Sequence, residues 1–178
     1  MEREIEVKVL RVEEKDVKER LKAIGAQYVG EEKQINYRID SSAIPLDPLD
    51  HLRLRVVYVN RELVKKEFTY KKRRKIEKAR AYDEYTVNID DEENLFEILK
   101  HMAYDQVEEM GKVRRSYVYK DCRIEFDRWD SHILSYPYME IEAPSSERIY
   151  EIVDLLGLDK SKVTDKSIAQ LREEEKIN

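Results

Sequence analysis

Charged and apolar residues alternate one for one along the opening stretch of this chain, Met1–Leu10. Glu4, Glu6 and Lys8 fall on one parity, with Ile5, Val7 and Val9 between them. A strand sends successive side chains to opposite faces, so this stretch has one apolar face and one charged face. An ordinary half-exposed strand reads the same way. Recurrence sets this one apart, because further segments carry charge on a single parity. They are Arg53 and Arg55; Lys65, Glu67, Thr69 and Lys71; Arg80, Tyr82, Glu84 and Thr86; Lys112 and Arg114; Arg123, Glu125 and Asp127; Glu140 and Glu142.

The remaining elements follow from periodicity and caps. Val17, Leu21 and Ile24 recur at helical spacing before Gly25, which predicts a helix over 13–24. Gln34 to Asp40 reads as a short strand, and Ser41 to Asp50, with Pro45 and Pro48, as a long loop. Strands are expected over 51–60 and 63–72, joined at Asn60-Arg61-Glu62. Lys71 to Lys75 reads as a basic turn, a solvated hairpin tip in the first instance; the alternative is that its first lysine alone reaches a site. Another strand spans 80–90. A helix over 92–102 has Leu95, Phe96, Leu99 and Met102 as its stripe and Asp90 or Asp91 as its cap. Strands over 112–120, 122–129 and 138–142 come next. A helix capped by Ser145 or Ser146 ends at Gly157, and Thr164 or Asp165 caps a last short helix. Glu4-Ile5-Glu6 and Glu140-Ile141-Glu142 each precede a helix and a glycine. As a repeat, they predict two half-sheets that face each other with converging carboxylates.

Strands outnumber helices and hairpin-length links dominate. The fold class is therefore α+β, mainly antiparallel β, as a sheet or barrel with helices packed outside. If helices cover the apolar parity, the charged parity faces an interior. That interior is wet and ligand-filled, because unpaired buried charge is too costly. The length of 178 residues suits a single domain, 1–178. The charged fraction of 41% equals the apolar fraction, and Gly and Pro number four each. Such an ionic chain with few loop breakers has a composition that hyperthermophiles favour. The net charge of −5 argues against a general nucleic-acid binder. The single cysteine, Cys122, excludes a disulfide framework and a zinc-type spacing. With no apolar leader and no membrane-spanning run, the expectation is a cytoplasmic protein with no membrane partner. Monomer and homodimer both stay open.

The interior set then comprises the cations Lys8, Arg53, Arg55, Lys71, Arg80, Lys112, Arg114 and Arg123. Its acids are Glu4, Glu6, Glu84, Glu125, Asp127, Glu140 and Glu142. Arginine forks and lysine point charges suit phosphate oxygens. Carboxylates without thiolate or imidazole partners suit a hard cation, Mg²⁺ or Mn²⁺. No GxxxxGK[ST] or GxGxxG loop is present, so side-chain cations have to cradle the phosphates. The histidines His51, His101 and His132 lack ligand spacing and read as surface or loop residues. The twelve tyrosines are expected between sheet and helices, hydroxyls outward.

Six ordered segments carry a family resemblance. Glu4-x-Glu6-x-Lys8 resembles the ExExK signature of the CYTH, or triphosphate tunnel metalloenzyme, superfamily. Leu52-Arg53-Leu54-Arg55, Phe68-Thr69-Tyr70-Lys71, Lys112-x-Arg114, Ile124-Glu125-Phe126-Asp127 and Glu140-Ile141-Glu142 resemble its later strands in order. Lys166-Ser167 resembles its tail. The resemblance implies a closed eight-stranded barrel forming a tunnel. It implies metal bound by Glu4, Glu6, Asp127, Glu140 and Glu142, and triphosphate bound by Lys8, Arg53, Arg55, Lys71, Arg80, Lys112, Arg114 and Lys166. Glu4, Glu6 and Lys8 take the catalytic place. Two departures bear on the non-phosphate part of the substrate: Asn36 stands where members often carry an acid, and Ile168 where tyrosine is usual.

The closest pattern is that of the CyaB-like, class IV adenylyl cyclases, which convert ATP to cyclic AMP and pyrophosphate, although no adenine-recognition motif is visible. The alternative is a thiamine triphosphatase or inorganic tripolyphosphatase, and a third is a non-catalytic triphosphate or polyphosphate binder. An RNA-binding barrel is disfavoured by the acidic net charge. Glu84, Glu125 and a metal-bound hydroxide all stay open as general base.

Overall fold

A computed structural model describes residues 2–177; Met1 and Asn178, the ends of the expected strand and domain, lie outside them. The strands are β1 (Glu2–Leu10), β2 (Gln27–Asp40), β3 (His51–Val59), β4 (Glu62–Arg74), β5 (Arg80–Asn88), β6 (Gln106–Tyr119), β7 (Cys122–Trp129), β8 (Tyr138–Glu142) and β9 (Val163–Thr164). The helices are α1 (Glu14–Ala23), α2 (Glu92–His101), α3 (Ser146–Leu155) and α4 (Ile168–Ile177).

All pairings are antiparallel, in the order β5-β4-β3-β2-β6-β7-β8-β1. The sheet closes because β1 also pairs with β5, giving the eight-stranded barrel. One edge of β1 is divided: Glu2–Glu6 pair with β5, and Lys8 and Val9 pair with the short β9. The other edge, Glu6–Leu10, pairs with β8. The two EIE segments are therefore hydrogen-bonded neighbours, with Glu6 opposite Glu142 and Lys8 opposite Glu140. They do not face each other from two half-sheets.

The apolar parity faces outward under helices. Val7, Val9, Ile124 and Ile141 pack with Val17 and Leu21 of α1 and with Ile149, Ile152 and Val153 of α3. Burying each such side chain stabilises the fold by roughly 1.5–3 kcal/mol. Leu95, Phe96 and Leu99 of α2 cover Leu52, Leu54 and Val56 of β3. α4 sits against a third cluster, with Leu171 among Trp129, Leu134 and Tyr138.

The caps follow the sequence. Asp91 accepts from Asn94 N, and Ser145 accepts from Arg148 N. Gly25, with φ +82°, ends α1 in a left-handed turn, and Ala26 N returns to Leu21 O at 2.9 Å. Asn60 and Arg61 both have positive φ, as the tight β3–β4 hairpin requires.

Three expectations need correction. β2 starts at Gln27 and β6 at Gln106, so both strands are longer than their alternation shows, and they pair along most of their length. The basic stretch continues β4 to Arg74 and is not a turn at Lys71. Ser167, not Thr164 or Asp165, caps α4: its hydroxyl accepts from Gln170 N, and Gln170 Oε1 accepts from Ser167 N. That reciprocal pair is a capping box. No helix among the described residues is long and apolar enough to cross a membrane.

Candidate active site

The charged parity lines the inside of the barrel around a cavity of about 190 Å³. That is several times the ~30 Å³ share of one water molecule, so the interior is a solvated site and not packed core. Nine cationic side chains line it, against four carboxylates, in a chain whose net charge is −5. Asp127, Glu125 and Glu108 stand behind that lining and match Lys112, Arg114 and Arg172, so the excess positive charge rests on the other cations.

The β1 residues set its floor. Lys8, 2% exposed, holds Glu6 at 3.1 Å and Glu140 at 2.9 Å. Burial lowers the tendency of this lysine to hold its proton. Glu140 and Glu6 outweigh that and leave its pKa above the ordinary value. Lys8 is thus a fixed cation. Arg80 stands opposite Glu6 across β1–β5 and donates to the Lys166 carbonyl at 3.0 Å. Lys71 bridges Glu4, at 2.7 Å, and Glu84.

The β6–β7–β8 wall is saturated with ion pairs. Asp127, 1% exposed, accepts from Lys112 Nζ at 2.5 Å, from Arg114 Nε at 2.7 Å and from Tyr138 at 3.1 Å. Arg114 also reaches Glu140 at 2.6 Å and contacts Glu125. Burial opposes ionisation of Glu140, but Lys8, Arg114 and Lys112 hold it well below the usual carboxylate range. The Lys112 ammonium lies 4.9 Å from the Trp129 ring centroid. Burial first, then Arg114, brings its pKa down to about 8.

The β2–β3 wall is the reverse. Among the described residues, Arg38, Arg53 and Arg55 make no ion pair with a carboxylate. Arg55 donates to the neutral amide oxygen of Asn36 at 3.1 Å. Arg53 Nε is buried with no hydrogen-bond partner. Burial, then the neighbouring Arg55, pulls the Arg53 guanidinium down to about 9.

Of the anticipated phosphate ligands, Lys8, Arg53, Arg55, Lys71, Arg80, Lys112 and Arg114 all line the cavity. Lys166 does not, because its ammonium pairs with Glu174 on the surface at 2.5 Å. Arg123 is exposed and pairs with Glu125 at the rim. Three residues read otherwise from sequence belong to the interior. His51 lines the cavity and stands 3.2 Å from the Tyr82 hydroxyl, so it is no surface histidine. Tyr82 and Tyr138 point inward, buried to 2% and 1% exposure, so their hydroxyls are not outward. His51 shares the parity of Arg53 and Arg55, and Tyr82 that of Arg80 and Glu84, which is the signal that places them. Arg38 and Arg172 are further lining cations.

The carboxylates divide by fitness for a metal ion. Among the described residues, no three His, Cys, Asp or Glu side chains form a ready metal cage. Glu6 and Glu142 nevertheless face each other directly across β1–β8, and Glu4 follows Glu6 on the same face. Burial, then Glu4, Glu125 and Glu6, pushes Glu142 up to about 8. Crowded oxygen donors of this kind fit a hard divalent cation, which would relieve their repulsion. Asp127 fits poorly, since Lys112, Arg114 and Tyr138 already occupy its oxygens.

The family described as the CYTH domain matches residues 2–168. The chain belongs to the CYTH domain family. Its barrel is the triphosphate-tunnel fold of that family. The PH1012 protein of Pyrococcus horikoshii superposes with a TM-score of 0.77 at 25% identity, covering 94% of this chain and 98% of its own. A candidate adenylate cyclase of Vibrio parahaemolyticus gives 0.72 at 18% identity, over 96% and 97% of the two chains. A Hippeastrum candidate adenylyl cyclase, described as having a dominant triphosphatase activity, gives 0.66 at 17% identity, over 96% of each. No curated protein matches the sequence significantly.

Proposed function

We propose that this CYTH protein is a divalent-metal-dependent triphosphatase. Family membership supports an enzyme acting on triphosphates. The observation that carries the reading is the unpaired cation wall of Arg38, Arg53 and Arg55, beside a wall whose charges are already matched. A triphosphate supplies the oxygens that the first wall lacks. Arg53 and Arg55 grip it as forks, and Lys71, Lys8 and Arg80 add point charge and hydrogen bonds. Lys112 and Arg114 face the same space, but their charge is largely spent on Asp127 and Glu140. We assign the metal to Glu4, Glu6 and Glu142, with Glu140 beside them. Bound there, Mg²⁺ or Mn²⁺ would neutralise phosphate charge and lower the pKa of a bound water. The chain's own residues position the phosphates, hold fixed positive charge where negative charge develops, and limit bulk water.

Hydrolysis is favoured over cyclisation by size. A cavity of about 190 Å³ lies below the ~300–1,000 Å³ typical of sites for larger organic ligands, so a compact polyphosphate fits better than a nucleotide. The second reading, a class IV adenylyl cyclase, draws on one observation. Leu52, Met110, Ile168 and Ala169 add an apolar part to the cavity lining against which a nucleoside could rest. The Vibrio protein supports the same reading by fold.

Phosphorus NMR separates the two. The protein is incubated with Mg²⁺ or Mn²⁺ and, separately, with tripolyphosphate, thiamine triphosphate and ATP. Orthophosphate without cyclic AMP is the expected result. Cyclic AMP with pyrophosphate would establish the cyclase, and tight binding without turnover would leave a triphosphate binder.

A further inference from the structure

His51 and Tyr82 sit inside the tunnel but have no part in the grip described above. His51 opens β3, and Tyr82 lies on β5 between Arg80 and Glu84. His51 Nε2 and the Tyr82 hydroxyl are 3.2 Å apart. Arg80 donates to the same hydroxyl through Nη2. A guanidinium can only donate, so the tyrosine oxygen accepts from Arg80, and its own proton is free to point at His51. The imidazole then accepts at Nε2 and carries its proton on Nδ1.

Cations surround this imidazole from four strands: Arg38 on β2, Arg53 on β3, Lys71 on β4 and Arg80 on β5. Arg172 of α4 lines the same cavity. The carboxylates Glu4 and Glu84 are both engaged by Lys71. Burial and the four cations hold the imidazole neutral, with its pKa down at about 3. A bound polyanion reverses the sign of the field that these cations create.

We propose that His51 and Tyr82 form a proton-coupled phosphate clamp, in which triphosphate entry draws one proton from solvent onto His51. The proton adds at Nε2, and the new N–H donates to the tyrosine oxygen. The Tyr82 hydroxyl keeps its own proton and turns it toward a phosphate oxygen, beside the Nδ1–H of His51. The empty tunnel therefore tolerates a neutral histidine, and the filled tunnel gains two further donors and one further cation. This inference rests on the triphosphate reading above.

The test uses the full chain, inorganic tripolyphosphate and a chelator that removes metal ions. Imidazole NMR follows His51, assigned by the loss of its signal in His51→Gln, through a pH titration. In the free protein, His51 is expected to stay neutral across about pH 5–8. With tripolyphosphate its titration should move up into that range. His51→Gln keeps a hydrogen-bonding side chain and removes the titration. The ratio of tripolyphosphate affinities, wild type over variant, should therefore fall by up to about tenfold per pH unit between the two titration points of His51. A His51 already protonated near neutral pH in the free protein, or one that does not move on binding, overturns the clamp alone. Failure of the wild type to bind tripolyphosphate even with Mg²⁺ restored overturns the triphosphate reading and the clamp with it.

Discussion

On the β6–β7–β8 wall of the tunnel, Lys112 and Arg114 share Asp127, Glu140 and Glu125; on the β2–β3 wall, Arg55 holds the neutral amide of Asn36, and among the described residues neither it nor Arg53 makes an ion pair with a carboxylate. The same residue types thus serve opposite purposes. The first wall is a scaffold whose buried charges cancel. The second is charged in advance for a ligand, and its repulsion is tolerated because the tunnel is wet. A buried ion pair is costly to break, whereas an unmatched cation is costly to keep. Substitutions on the two walls should therefore change stability and binding in opposite proportions.

The largest effect is expected on the saturated wall. Asp127→Asn leaves Lys112 and part of Arg114 unmatched and should cost about 3–5 kcal/mol of stability, read as a lower denaturation midpoint. Next, Asn36→Asp would give Arg55 a carboxylate and make the second wall resemble the first. It should raise the melting temperature and weaken tripolyphosphate binding about tenfold or more, the size expected from spending one charged hydrogen bond, ~1.5–3 kcal/mol. An unchanged affinity would show that Arg55 does not hold the anion.

Glu142 supplies a pH-dependent test at the acidic edge between the walls. Its carboxyl sits above the ordinary 4.5, at about 8, so the folded state holds this proton more tightly than the unfolded chain does. Its contribution is present in full below the ordinary value and is lost as pH rises through about 8. Wild type should lose stability over that window, and Glu142→Gln should lose less. Mg²⁺ should stabilise wild type above neutral pH more than it stabilises the variant. Equal pH slopes in thermal unfolding would contradict the crowded-carboxylate picture. The smallest effect belongs to Ser167→Ala at the start of α4, about 1 kcal/mol from the lost cap, with α4 fraying first in hydrogen exchange.

The charged lining of the tunnel is legible in the sequence; the asymmetry of its two walls is not. Strict alternation in β1 and β3 places Glu4, Glu6, Lys8, Arg53 and Arg55 on one face, and closure follows because such a face needs an interior. The first halves of β2 and β6 were not visible. Gly30-Glu31-Glu32-Lys33 and Glu108-Glu109-Met110-Gly111 lack apolar alternation, and the two strands stabilise each other by pairing. Pairing partners are also unreadable from one strand alone. Alternation marks Asp127 as an interior acid, but only the β6–β7 register shows that Arg114 stands opposite it and consumes its charge. Lys166 was misplaced for a related reason: the direction of a side chain just before α4 depends on how that helix docks, and the pairing with Glu174 turns it outward.

Calorimetric titration of tripolyphosphate into wild type and the Arg53→Ala/Arg55→Ala double variant, each with its melting temperature recorded, tests the two-wall account most directly. The account predicts tight binding by wild type. For the variant it predicts at least a hundredfold loss, on the order of 3 kcal/mol from two charged contacts, with a melting temperature equal to or above that of wild type. A variant that binds as wild type does, or that unfolds like Asp127→Asn, would show that the β2–β3 cations are structural and that the anion site lies elsewhere.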